Sequence, residues 1–174
     1  MNNVNKPINY IENKLFLLDQ RKLPAQEIFV EISTVEATYT AIKDMIVRGA
    51  QCIGFTGIFS MALGVQSSSH ITKPVIRKMA NYLISARPTA VNLKFEIDYI
   101  VEQLIDYDEQ IENTLKKIIE YGNKQLAESE IRNRKMAHFA EAELDKTLKK
   151  DSYNILTHCN TGFLACGSIG TALG

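Results

Sequence analysis

Cys159 is where this sequence most readily offers reactive chemistry. It stands in His158-Cys159-Asn160-Thr161-Gly162, a polar turn between the strand-like run Tyr153-Asn154-Ile155-Leu156-Thr157 and the small, apolar residues from Phe163 to Gly174. In open α/β sheets ligands gather at the carboxyl ends of strands, and Cys159 is expected at such an end. A helix starting just after the turn would favour a thiolate through its dipole. Asn160, Thr161 and the first helical N–H groups would favour an anion there. The other reading is a small core residue, as cysteines in apolar segments often are. Cys52 and Cys166, inside apolar runs, read as core. His70 and His138 read as surface residues, so no metal cluster is expected.

Two further stretches carry arginine beside residues suited to phosphate. In Arg48-Gly49-Ala50 a bidentate guanidinium and backbone N–H groups exposed by a glycine can hold a phosphate. The ordinary reading is a helix C-cap, with Arg48 favoured by the dipole and Gly49 left-handed. In Arg87-Pro88-Thr89-Ala90-Val91-Asn92-Leu93 the break before proline can aim Arg87 at a ligand, with Thr89 and Asn92 as hydrogen-bonding neighbours. Its ordinary reading has Thr89 capping the next helix and Arg87 solvated.

The elements that must position these residues follow from periodicity. Leu15 to Leu18 and Ile28 to Ile32 read as short strands. Ser33 followed by Glu36 has capping-box spacing, and Val35, Tyr39, Ile42 and Ile46 form one helical face expected to stop at Arg48-Gly49. Gly54, Gly57, Ser60, Ala62 and Gly64 can lie in a helix only if it is tightly packed. Thr72 and Pro74 start a helix carrying Ile76, Met79 and Leu83. Leu93, Ile97, Ile100 and Leu104 make one apolar stripe, and Ile111, Leu115 and Ile118 another. Glu128 to Lys149 is charged and helical, with Phe139, Leu144 and Leu148 as buried candidates.

The expected organisation is α+β: a mainly helical domain with short β-strands over residues 1–150, then at 151–174 the first strand, turn and helix of a Rossmann-like α/β domain. One parallel strand cannot satisfy its own edges, so the chain reads as a fragment of a longer protein. Unpartnered, Asn154 to Gly174 is expected to be disordered, swapped into another chain or buried at a dimer contact.

Composition excludes several classes. The 174 residues are 45% hydrophobic and 23% charged, ordinary globular usage. Twenty basic residues balance twenty acidic ones, which gives no electrostatic footprint for nucleic acid or an anionic membrane. Three cysteines without a C-x-x-C pair argue against a disulfide framework and a structural zinc, and fit a reducing compartment. The polar start Met1-Asn2-Asn3 has no signal-peptide pattern, and no apolar run reaches the ~20 residues of a membrane span. A cytoplasmic protein is expected.

Taken together, Leu18-Asp19-Gln20-Arg21 with Leu23-Pro24, Arg48-Gly49-Ala50-x-x-Ile53-Gly54, Ala86-Arg87-Pro88-Thr89-Ala90-Val91-Asn92-Leu93 and Thr157-His158-Cys159-Asn160-Thr161-Gly162 resemble, in that order, the methylthioribose-1-phosphate isomerase family. Gly170 to Gly174 matches the family's continuation, so the resemblance runs from about Leu15 to the last residue. The wider superfamily holds ribose-1,5-bisphosphate isomerases and the regulatory subunits of translation initiation factor 2B. The latter generally lack the Arg-Gly-Ala motif and the cysteine after the histidine.

The resemblance implies a helical N-terminal domain before a Rossmann-like one, and conversion of an aldose 1-phosphate to a ketose 1-phosphate in methionine salvage. It implies that Arg48, Gly49, Ala50 and Arg87 bind substrate, that Cys159 is catalytic, and that His158, Asn160, Thr161 and Gly162 support it. It places a second catalytic residue, an aspartate, beyond this chain, together with a glutamine and an Asn-Lys pair that bind substrate. The chain alone is therefore expected to be inactive. No cofactor is implied. The partners implied are the sugar phosphate and a second copy in a homodimer, with no nucleic acid and no membrane. Gln51 and Cys52 stand where the family usually has proline and alanine, which leaves the sugar's 5-substituent open: 5-deoxyribose 1-phosphate and ribose 1,5-bisphosphate are alternatives. A non-catalytic sugar-phosphate sensor related to the regulatory subunits is the competing class.

Overall fold

The computed structural model describes residues 6–147 and 154–174. A small antiparallel sheet in the order β1-β2-β3 comes first: β1 (Ile8–Ile11), β2 (Lys14–Leu18) and β3 (Phe29–Ile32). The sequence reading contains β2 and β3 but not β1. The missed strand is turned back onto β2 by Glu12 and Asn13, with φ of 51° and 61°, the conformation of a two-residue hairpin loop.

Helix α1 (Val35–Lys43) begins at Thr34, whose Oγ1 accepts a hydrogen bond from the Ala37 N–H at 3.0 Å; Ser33 is not the cap. It ends well before Arg48-Gly49. Met45 turns left-handed at φ 60°, its N–H meets the Ile42 carbonyl, and the Ile46 N–H meets the Ala41 carbonyl. This is a Schellman stop built on methionine instead of glycine, so no glycine signalled it. Ile46 still reaches the core, by the returning chain and not by helical spacing.

Helix α2 (Ala50–Gln66) is the centre of the body, buried without a break from Cys52 to Val65. Its glycines make room for neighbours: a Cβ on Gly57 would lie 2.6 Å from Leu93 Cδ1. The condition of tight packing is thus met. Around it pack α1, α3 (Lys73–Ser85), α4 (Val91–Tyr99), which runs into a π-turn at Ile100–Leu104, and α5 (Ile111–Thr147). Ile76, Leu83, Leu93, Ile97, Ile100 and Ile118 are all buried as their spacing predicts. The cap of α4 is Ala90, not Thr89.

α5 is one helix of 37 residues, about 55 Å long. Phe139, expected to be buried, is 71% exposed, because beyond Asn133 the helix leaves the core. Leu144 is half-buried, and Leu148 lies outside the described residues.

The last segment departs most from expectation. Asn154–Thr157 form no strand, and Tyr153 and the expected boundary at 150/151 lie outside the described residues. The expected helix from Phe163 is a single turn, α6 (Phe163–Cys166), ended by Gly167 at φ 79°. The segment folds back on its own chain, where Ala165 to Ser168 and Gly170 are buried. Its outer residues Ile155, Leu156, Phe163 and Leu173 stay exposed. The α+β class stands, but the start of the α/β unit lacks its strand, since nothing in the described residues pairs with it.

Candidate functional site

The site grows from the N-terminus of α2. Gly49 is its N-cap, not the C-cap of α1, with φ 91° and no side-chain cap. The first helical hydrogen bond runs from the Ile53 N–H to the Gly49 carbonyl, which leaves the N–H groups of Ala50, Gln51 and Cys52 without helical partners. Arg48 projects beside them, exposed. The helix has 17 residues, long enough for its dipole to favour an anion here.

Arg87 approaches from the loop before α4. That helix is seated by its first turn: a Cβ on Gly54, one turn into α2, would lie 3.4 Å from both Asn92 Cβ and the Asn92 carbonyl. The Arg87 loop thus leads into a helix whose first turn packs one turn into α2. Among the described residues neither arginine forms an ion pair, whereas Arg21, Arg132 and Arg134 each do.

The segment that follows Cys159 closes on the same end. Gly49 is so near Ala165 that a Cβ would fall 2.3 Å from Ala165 Cβ. The Leu164 carbonyl accepts from Gln20 Nε2 at 2.8 Å and from the Cys52 thiol at 3.3 Å. Upstream, the Thr161 carbonyl accepts from the Thr171 N–H at 2.9 Å, and Asn160 Oδ1 from the Gly162 N–H at 3.5 Å. Ser129 Oγ donates to Gln51 Oε1 at 2.9 Å, and Asn133 Nδ2 to the Ile169 carbonyl at 3.0 Å, so α5 braces both sides.

Gly49, between Arg48 and Ala50, is therefore brought against Ala165, while Arg87 lies in the loop before α4. Cys159 itself sits on the open loop ahead of it, exposed and left-handed at φ 68°, next to an exposed His158. A one-turn helix carries little of the dipole expected to act on that thiol. Cys52 and Cys166 are core residues as expected, at 0% and 4% exposure, and burial pushes both thiols up from their ordinary range. Cys159 should therefore be alkylated at least about tenfold faster than either. Peptide mass spectrometry after brief iodoacetamide treatment reads this, and equal labelling of all three would show that the last segment is not docked.

A cleft of about 1060 Å³ lies elsewhere, between the far half of α5 and Ile155, Ile169 and Thr171. It contains none of the candidate residues, and Glu141, Glu143 and Asp145 on its wall oppose a phosphate. Among the described residues no cluster of His, Cys, Asp or Glu could hold a metal ion, and no helix is long and apolar enough to cross a membrane.

Sequence reasoning missed Gln20, Ser129 and Asn133 as parts of the site. The last two carry a readable signal, buried polar residues four apart on one helix face. It also missed Glu96, which is 8% exposed and accepts a 2.5 Å hydrogen bond from the Tyr121 hydroxyl. Burial raises the Glu96 carboxyl, while Tyr121 and Arg132 pull it back. A carboxyl raised on folding contributes stability that is full below its ordinary range and lost as pH rises through its folded value. Glu96→Gln keeps an acceptor for Tyr121 and is expected to flatten the loss of stability above the ordinary glutamate range. Urea midpoints from about pH 4 to pH 8 that fall alike in both proteins would exclude Glu96 as the source.

The Initiation factor 2 subunit family matches residues 46–173. The methylthioribose-1-phosphate isomerase of Caldicellulosiruptor saccharolyticus is 37% identical over 176 residues, covering 97% of this chain and 49% of its own length. That of Hordeum vulgare is 34% identical, covering 96% and 48%. Among solved structures, 5-methylthioribose 1-phosphate isomerase from Pyrococcus horikoshii superposes with a TM-score of 0.80 at 30% identity, over 97% of this chain and 47% of that one. Translation initiation factor 2B, subunit delta, from A. fulgidus also reaches 0.80, at 32% identity over 97% and 48%. The chain spans about half the length of the curated relatives it matches.

Proposed function

The chain belongs to the Initiation factor 2 subunit family, and from that premise we propose that it forms the phosphate-holding and thiol-bearing part of an aldose–ketose isomerase acting on a 5-substituted ribose 1-phosphate. The observation that supports this is the seating of Leu164 and Ala165 on Gln20, Cys52 and Gly49, which ties the segment that follows the Cys159 loop to the N-terminus of α2, where Arg48 forms no ion pair among the described residues. Relatives named methylthioribose-1-phosphate isomerase make 5-methylthioribose 1-phosphate the first substrate to try. Methionine salvage, a cytoplasmic setting, a homodimer and a division into units at 1–150 and 151–174 belong to the same proposal.

The chemistry asks for these residue types. A sugar phosphorylated at C1 does not open as a free hemiacetal does. A proton must reach the ring oxygen as the C1–O bond to it breaks. A hydrogen then passes from C2 to C1, as a proton or a hydride, and the C2 hydroxyl gives up its proton as the ketone forms. Two groups that exchange protons near neutrality are needed. Cys159 is one; the family resemblance puts a carboxylate beyond Gly174 as the other. Arg48, Arg87 and the free N–H groups of α2 hold the phosphate dianion, so that C1 and C2 face the thiol loop. No cofactor enters this scheme.

The test is to incubate the protein expressed from its whole reading frame with the 5-methylthio, the 5-deoxy and the 5-phospho ribose 1-phosphates and follow the ketose by NMR. Absence of turnover by a folded protein sinks the proposal. The 174 residues alone supply one of the two proton-transfer groups, so turnover by them would refute the two-group scheme. A second reading, a sugar-phosphate sensor, draws support from the exposure of Cys159 and the equal superposition on the initiation-factor subunit. Phosphate binding without turnover would favour it.

A further inference from the structure

We propose that Gln20 is a positioning residue that sets the distance between the phosphate turn and the Cys159 loop; the inference rests on the reading above and adds a residue to it. Gln20 is 7% exposed and lies just past the end of β2. Its backbone N–H donates to the Ile46 carbonyl at 2.9 Å, two residues before Arg48. Its side-chain amide donates to the Leu164 carbonyl at 2.8 Å, five residues after Cys159. One residue thus holds both halves of the site.

The physical need is specific. Leu164 is in a one-turn helix, so its carbonyl is among those that a helix end leaves without a partner. Partly buried and unpaired, it would destabilise the docked segment. The Cys52 thiol, a weak donor, reaches the same oxygen at 3.3 Å and does not replace an amide. Gln20 is itself fixed, because Asp19 and Arg21 on either side form a two-point ion pair at 2.7 and 2.8 Å. That pair closes the turn and leaves the glutamine facing inward.

The variant to make is Gln20→Met, which keeps the volume and removes the donor. Arg48, Arg87 and the α2 N–H groups are untouched, so KM is expected to stay within about threefold, while kcat falls about 10- to 100-fold as the thiol loop shifts. A folded variant with unchanged kcat overturns the inference, as does a rise in KM without a fall in kcat. If Gln20→Met does not fold, Gln20→Asn, whose amide falls one methylene short, is read in the same way. Should the unsubstituted protein turn over no sugar phosphate, the proposed function fails. Gln20 is then judged by iodoacetamide labelling of Cys166 and Cys52, which are buried while Leu164 to Ser168 are docked. Faster labelling in the variant supports the clasp, and unchanged labelling overturns it.

Discussion

Cys159→Ser is expected to lower turnover by about 10²–10⁴ while leaving KM within about threefold, the loss attributed to a positioned acid–base group. A serine hydroxyl keeps the size of the side chain but does not exchange protons near neutral pH. The proposed phosphate contacts lie on Arg48, Arg87 and the N-terminus of α2, none of which touches residue 159 through a hydrogen bond among the described residues. Binding and chemistry should therefore separate. Cys166→Ser is the control: Cys166 is buried behind the segment, and its replacement should reduce stability more than turnover. The measurement is kcat and KM for both variants on the protein from its whole reading frame. Equal, small effects from both substitutions would return Cys159 to a structural role and favour the sensor reading.

Gly49→Ala is expected to destabilise the protein by about 2–5 kcal/mol, the sum of a strained backbone conformation and an overpacked contact. At φ 91° an L-residue is strained whatever the space, and its Cβ would meet Ala165 at 2.3 Å. Relief comes by pushing α6 off the turn, which also breaks the hydrogen bonds to the Leu164 carbonyl. Urea unfolding should show a lower midpoint, and thiol labelling should spread from Cys159 to Cys52 and Cys166. A stability within about 0.5 kcal/mol of the unsubstituted protein, the usual range of surface changes, would mean that the turn and the segment are not in contact.

The sequence by itself determined the helical body and the types of residue at the N-terminal end of α2. The stripes at Ile76 and Leu83, at Leu93, Ile97 and Ile100, and at Ile118 are buried as spaced, because an amphipathic period reports one face against one core. The glycine-rich run of α2 was legible as a helix on condition of tight packing, since small residues state how closely neighbours come but not which neighbours they are. Arg48-Gly49-Ala50 and Arg87 are legible as candidates for phosphate chemistry beside ordinary capping readings, yet whether Gly49 closes one helix or opens the next is not. That turned on Met45 ending α1 early in a conformation any sequence signal would have assigned to glycine.

Only the tertiary structure decided how the last segment behaves. Local pattern asked for a strand at 153–157 and a long helix from Phe163. A lone strand has no partner to pair with, and a glycine-bearing helix is stable only where it is packed. The chain instead keeps one helical turn and spends its polar groups on long-range contacts: Gln20 to Leu164, Cys52 to Leu164, Asn133 to Ile169. Those contacts join residues 36 to 144 positions apart, a separation that no window of periodicity spans, and it is they that dock the last segment on the N-terminal end of α2 and on α5.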